Sequence, residues 1–157
     1  MYVSQIRQTR TPAGDFCDHY HRYTPLLLRW FGFRPHPQIL KNLVTNAWES
    51  MADRSQPGCV RVNIKTMPPD AIPGLHRYPV DFQARADAYA CLEIADQGEG
   101  IPEKDIEKIF DPFYSSRFIG RGLGLALVLG LVKAHDGCIT VECRNTGSIF
   151  RVYLPAR

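Results

Sequence analysis

The sequence predicts an α+β fold, with helices packed on one face of a mainly antiparallel sheet. Three observations carry this. The apolar residues from Pro37 to Ala52 recur with a helical period; four short segments, Val60 to Ile64, Ala88 to Ala95, Cys138 to Cys143 and Ser148 to Leu154, alternate as strands do; and an apolar run from Leu123 to Ala134 forms a second helix between them. At 157 residues and 45% hydrophobic composition, the chain is long enough for one domain with a core and short for two.

Residues 1–35 differ from the rest. Two helix-compatible pieces, around Tyr2 to Gln8 and Asp15 to Trp30, flank the turn-like Thr11-Pro12-Ala13-Gly14, and the segment reads as a lead-in to a domain spanning residues 36–157. In the first helix of that domain, Ile39, Leu40, Leu43, Val44, Ala47, Trp48 and Met51 cover one arc, and Pro37 suits the first turn. Val60, Val62 and Ile64 follow the Gln56-Pro57-Gly58 turn as a half-buried strand. Thr66 to Asp87 holds Pro68, Pro69, Pro73 and Pro79 and keeps neither period, so it reads as a long loop or insertion. In the next strand, Ala90, Leu92 and Ile94 face one side, with Tyr89, Cys91 and Glu93 on the other.

Beyond it, a short helix is expected from Glu103 to Phe110. The Leu123 to Ala134 helix, apolar almost all round, should be largely buried and stop at Asp136-Gly137, with Gly130 there for close packing. The last two strands form a hairpin around Arg144-Asn145-Thr146-Gly147.

Nineteen Lys and Arg against sixteen Asp and Glu give a net charge of +3 with the signs interspersed, which points to no nucleic-acid partner. No apolar stretch reaches the ~18 residues of a membrane span, and no signal-peptide core is seen, so no membrane contact is expected of this chain. Five cysteines without C-x-x-C spacing suggest free thiols in a reducing cytoplasm. The five histidines carry no zinc spacing and no Ser-His-Asp logic.

Three motifs could carry chemistry. Asn42, Asn46 and Glu49 form one narrow stripe on the first helix, either a solvated face or a binding edge whose amides supply carbonyl ligands to a metal. Asp96-Gln97-Gly98-Glu99-Gly100 follows a strand; it is a tight turn, or a carboxylate placed to accept from an exocyclic amine where the backbone allows close approach. Gly120-Arg121-Gly122-Leu123-Gly124 opens a helix, where bare N–H groups and the helix dipole suit phosphate, although it is neither a P-loop nor a Rossmann fingerprint. Arg117 and Arg121 could add positive charge there.

In order, Asn42-Leu43-Val44-Thr45-Asn46-Ala47, Asp96-x-Gly98-x-Gly100-Ile101, Phe110-Asp111-Pro112-Phe113-Tyr114-Ser115-Ser116 and Gly120-Arg121-Gly122-Leu123-Gly124-Leu125-Ala126 closely resemble the N box, first glycine box, F box and second glycine box of sensor histidine kinases. The resemblance spans about residues 36–156, closes on Gly147-Ser148-Ile149-Phe150, and is nearest in style to nitrogen-sensor-like and PAS-linked hybrid kinases. It implies a Bergerat-type α/β sandwich that binds ATP and Mg²⁺. Asn46 would ligate the metal, with Asn42 beside it; Asp96 would accept the adenine amine, with Gly98, Gly100, Ile101 and Ser148 around the base; Gly122, Leu123, Gly124 and Leu125 would hold the phosphates; and Phe110, Phe113 and Tyr114 would anchor a lid carrying Arg117 and Arg121. The implied partners are the dimerisation domain that bears the phosphorylated histidine and a response-regulator receiver domain.

This sequence departs from the pattern at Glu49, where many members place a lysine, and in a very short lid between Ser116 and Gly120. No His-Glu or His-Asp phosphoacceptor box is visible; Tyr2 onward reads as the tail of a dimerisation helix, and this chain is expected to bind ATP without phosphorylating itself. A degenerate docking module, an ATP-driven clamp of the gyrase, chaperone or MutL type, and a serine kinase of the anti-sigma type are the alternatives.

Overall fold

The computed structural model describes residues 2–7, 37–51, 58–114, 122–144 and 146–156. In chain order the elements are β1 (Tyr2–Arg7), α1 (Pro37–Glu49), β2 (Cys59–Met67), β3 (Arg77–Tyr78), β4 (Tyr89–Ala95), α2 (Gly124–Ala134), β5 (Cys138–Cys143) and β6 (Ser148–Pro155). The six strands form one sheet in the order β1-β2-β4-β6-β5-β3, and every pairing in it is antiparallel.

The alternation read in the sequence fixes which face is buried. Cross-strand rows such as Val62, Ile94, Phe150 and Val141 point their side chains toward the helices, where Ile39, Leu43, Val44 and Ala47 of α1 and Val128 and Val132 of α2 meet them. A one-residue slip in any strand would turn its apolar set outward, so this burial also sets the register. The result is the expected two-layer α+β sandwich.

Several expectations are corrected. The helix expected across Tyr2 to Gln8 is instead β1, paired along its length with β2 from Tyr2 opposite Ile64 to Arg7 opposite Cys59. Tyr2, Val3 and Ile6 favour strand geometry, and the outer edge of β2 offers the backbone partners that so short a helix would lack. The helix expected at Asp15 to Trp30 lies outside the described residues. Glu103 to Phe110 is a 3-10 turn at Glu103–Asp105 followed by further turns, anchored inward by Ile106, Ile109 and Phe110.

α2 is less buried than its composition implies. Val128 and Val132 are fully covered, but Leu123 and Leu127 are 49% and 46% exposed. Gly130 is exposed and a methyl group there would meet nothing within 4 Å, so it serves no close packing. A helix resting on a sheet buries one stripe whatever its other side carries.

The long segment after β2 is structured. It continues as a 3-10 turn at Pro69–Ala71, adds β3 to the edge of β5, passes a cis Tyr78-Pro79 bond, and returns across the outer face of the sheet. There Ile72, Tyr89, Cys91, Cys138 and Tyr153 form a second small core, flanked by Met67, Phe82 and Ala86. The Tyr89 hydroxyl accepts from the backbone N–H of Arg85 at 3.0 Å, the Phe82 ring meets Tyr89 edge-on at 6.0 Å, and Arg77 lies over Phe82. The rest of that face is polar: Arg151 bridges Glu93 at 2.7 Å and Glu142 at 2.8 Å.

Burial pushes the Cys91 thiol up to about 11 and Cys138 up to about 12. Thiolate is the reactive form, so near pH 8 iodoacetamide should modify Cys91 and Cys138 at least ~100-fold more slowly than half-buried Cys59. Peptide mass mapping over time checks this; similar rates at all three would mean that the outer loop does not cover the sheet.

Candidate functional site

The site grows from the inner edge of the sheet, where β4 ends and α1 and β6 converge. Asp96, the residue after β4, is 7% exposed. Its backbone N–H donates to the Ser148 carbonyl at 3.0 Å, which extends the β4–β6 ladder by one bond and fixes the Cα. Oδ2 of the carboxylate accepts from the Ser148 hydroxyl at 2.6 Å, and Oδ1 accepts from the Gly98 N–H at 2.7 Å and from the Ser50 hydroxyl at 3.0 Å. A buried carboxylate is tolerated only when donors replace its water. Here they come from the loop, from β6 and from the end of α1.

Gly98 packs against that helix end. A methyl group there would overlap the Ser50 side chain and lie 2.7 Å from its carbonyl oxygen, so no other residue fits without moving α1. Gly100 follows with φ of 77°, and Ile101 turns back to pack on the main core.

The other end of the site lies two turns back along α1. Asn42 donates from Nδ2 to the carbonyl of Gly124 at 3.3 Å and accepts at Oδ1 from Gln38 at 3.1 Å. The N-box helix is thus tied to the first residue of α2. Asn46, one turn on, is half-buried, and its carboxamide makes no hydrogen bond among the described residues. Leu123 caps α2 without a side-chain hydrogen bond, and the first turn carries no acidic residue. Among the described residues no side chain caps its leading N–H groups, and the positive end of the helix dipole lies behind them. A methyl group added at Gly124 would lie 4.0 Å from Asn42 Cγ, and Leu125 packs on the core.

The F-box residues divide by burial. Phe110 is buried against Tyr78, ring centroids 4.9 Å apart, and holds the segment down. Phe113 is 76% exposed with φ of 68°. Its N–H donates to the Gly122 carbonyl at 2.8 Å, so the two ends of the expected lid are joined, and a methyl group on Gly122 would overlap the Phe113 backbone. Tyr114 packs on the core, and its hydrogen bond to Asp105 raises its hydroxyl above the ordinary tyrosine value. Arg117, Arg121 and the lid from Ser116 to Gly120 lie outside the described residues.

The amide stripe, the Asp96 loop, Ser148 and the α2 N-terminus are thus brought together around one face of α1. Ser50 and Gln38 were not singled out in the sequence. Ser50 stands four residues after Asn46 and eight after Asn42, and continuing the i, i+4 spacing of the stripe would have found it. His135, bonded through Nδ1 to the Leu131 carbonyl at 2.8 Å, sits at the opposite end of α2.

Comparison with known proteins bears on the fold and the family. Residues 35–157 match the family described as histidine kinase-, DNA gyrase B-, and HSP90-like ATPase. The sensory histidine kinase/phosphatase NtrB of Rhodobacter capsulatus is 34% identical over 124 residues, covering 75% of this chain and 31% of that protein. The sensor kinase CckA of Brucella abortus is 32% identical over 121 residues, 75% of this chain and 12% of that protein. This chain spans less than a third of the length of either relative. The catalytic domain of histidine kinase ThkA has the same fold, with a TM-score of 0.54 at 20% identity over 99% of this chain and 97% of that one. With the motifs in order along the sequence and this fold, the chain belongs to the histidine kinase-, DNA gyrase B- and HSP90-like ATPase family.

Proposed function

We propose that residues 36–157 bind Mg²⁺ and ATP along α1, the base at Asp96 and the phosphates at the N-terminus of α2, and pass the γ-phosphoryl group to a histidine on a dimerisation domain. The observation that carries this reading is the buried, donor-satisfied Asp96 at one end of α1 and the uncapped N-terminus of α2 at the other. One end suits an amine donor, the other an anion.

Asp96 would accept the exocyclic amine of adenine, with Gly98 and Gly100 giving the ring room. Gly122, Leu123, Gly124 and Leu125 would hold the phosphates by backbone N–H groups, with Arg117 and Arg121 adding charge. Mg²⁺ keeps several water and phosphate ligands and needs few from the protein. Asn46 fits that role with one amide oxygen, and no cluster of His, Cys, Asp or Glu suited to a metal exists among the described residues. Such an ion would neutralise charge on the phosphates. Asn42 is already engaged at both ends of its amide and cannot take up a proton, so the site lacks a base there to activate water. Phosphoryl transfer by such a site rests on positioning and charge neutralisation.

The acceptor histidine must approach the phosphate end. Phe113, Leu123 and Leu127 lie exposed there, with Leu123 and Leu127 one turn apart on α2, and would form the docking face for the dimerisation helices. A receiver domain would then take the phosphoryl group from the histidine. Free thiols at Cys59, Cys91, Cys138 and Cys143, together with the use of ATP, support work in the cytoplasm.

In calorimetric titrations with ATP, Asn46→Ala should remove the gain in affinity that Mg²⁺ gives the native chain and leave metal-free binding within about two-fold. An undiminished Mg²⁺ effect in the variant would exclude Asn46 as the ligand.

With ATP labelled at the γ position and a separately supplied dimerisation domain, the label should appear on histidine, stable to base and labile to acid. Leu127→Ser should slow this transfer roughly ten-fold or more while ATP affinity is unchanged, as expected if a buried leucine contact is lost in docking. Label on serine, or none, would exclude the histidine kinase reading.

A further inference from the structure

The Asp96 carboxylate has about four acceptor positions, two on each oxygen. Both on Oδ1 are engaged, one by the Gly98 N–H at 2.7 Å and one by the Ser50 hydroxyl at 3.0 Å, and one on Oδ2 by the Ser148 hydroxyl at 2.6 Å. Among the described residues the remaining position is on Oδ2. Ser50 is half-buried at the end of α1, held by its backbone N–H to the Asn46 carbonyl at 3.0 Å, and its side chain packs directly on Gly98. Its one hydroxyl proton has two acceptors, the Ala47 carbonyl at 2.7 Å and Asp96 Oδ1; the carboxylate is charged and forms the stronger bond.

We infer that Ser50 is a positioning residue that sets base recognition: with Gly98 it occupies Oδ1, so the Asp96 carboxylate is locked in the rotamer that presents Oδ2 alone to the exocyclic amine of the nucleotide. This rests on the reading of Asp96 as the adenine acceptor. The hydroxyl also links the two ends of the site. Ser50 continues the helix face that carries Asn42 and Asn46, so the helix that faces the phosphates also fixes the group that reads the base.

Without the hydroxyl, Oδ1 keeps only Gly98, and the carboxylate can rotate about its last bond. Affinity for a ligand that donates to Oδ2 then falls, whereas affinity for a ligand that does not use Asp96 is unaffected.

The test compares ATP with purine riboside triphosphate, which lacks the 6-amino group, on the native chain and on Ser50→Ala. The native chain should prefer ATP at least ten-fold. In Ser50→Ala the preference should shrink about five- to ten-fold, through weaker ATP binding, with the deaminated nucleotide bound as before. The preference is a ratio, so a partly unfolded variant does not alter it. An unchanged preference, or a parallel loss for both nucleotides, overturns the inference and leaves Ser50 a packing residue. If the native chain itself shows no preference, the assignment of Asp96 to adenine falls, and this inference with it.

Discussion

A carboxylate out of water is the constraint around which this domain is arranged. Asp96 is nearly sealed, and charge in such surroundings persists only where hydrogen bonds to it replace solvation. The three donors sit on three different pieces of chain, so the requirement acts as a tie between layers. Ser148 belongs to the sheet, Gly98 to the loop leaving it, and Ser50 to the helix laid across it. The helix layer cannot slide along the sheet without breaking one of them. The same tie explains why the loop needs glycine where it meets the helix, because the approach that lets Ser50 reach the carboxylate leaves no room for a side chain at Gly98.

The sheet must satisfy two faces, and it does so in different ways. Toward α1 and α2 it buries aliphatic rows. Away from them, one part is closed by the segment after β2, whose Ile72, Phe82 and Ala86 pack with Cys91, Cys138 and Tyr153, while the remainder carries the paired charges of Glu93, Arg151 and Glu142. Arg151 holds Glu142 below the ordinary carboxylate value, as a pairing that favours the charged form must. The outer cover lies across the sheet from the site. It supports β4, which leads into Asp96, and β6, which begins with Ser148, while Tyr78 of the same segment packs on Phe110.

Strands and the N-box helix were legible because their periods are strong and unbroken, as with Val60, Val62 and Ile64 or the α1 arc. The four motifs were legible for another reason: each combines residue types that a bland surface has little use for. What escaped was set by tertiary context. Tyr2 to Arg7 has no period of its own over six residues and takes its form from β2. The proline-rich segment after β2 hid Tyr78, Phe82 and Ile72, because their partners stand on strands far away in sequence. The exposure of Leu123 and Leu127 contradicts composition alone, since apolar residues on the free side of α2 have no partner within the described residues. Ser50 escaped because a serine near a helix end normally signals nothing, and only the arrival of Asp96 across forty-six positions gives it a role.

Among the described residues the two ends of the site differ in how many hydrogen bonds hold them, and on the proposed reading that difference suits phosphoryl transfer. The base end is held by a ladder hydrogen bond, a helix terminus and three donors around one carboxylate. Among the described residues nothing comparable fixes the end proposed for the phosphates, where α2 begins without a side-chain cap and an exposed apolar face adjoins it. A site that must admit an acceptor belonging to another domain cannot be closed on all sides in advance. On the proposed reading, holding the purine firmly would let the triphosphate be placed by one anchored end, the open end being completed when the acceptor arrives, and positioning is the larger part of what such a reaction requires. Asn42 fits this division. Its amide spans from Gln38 to the start of α2 and ties the two helices together, and on the proposed reading it would have no acid-base chemistry with which to direct the phosphoryl group to water before the acceptor is in place.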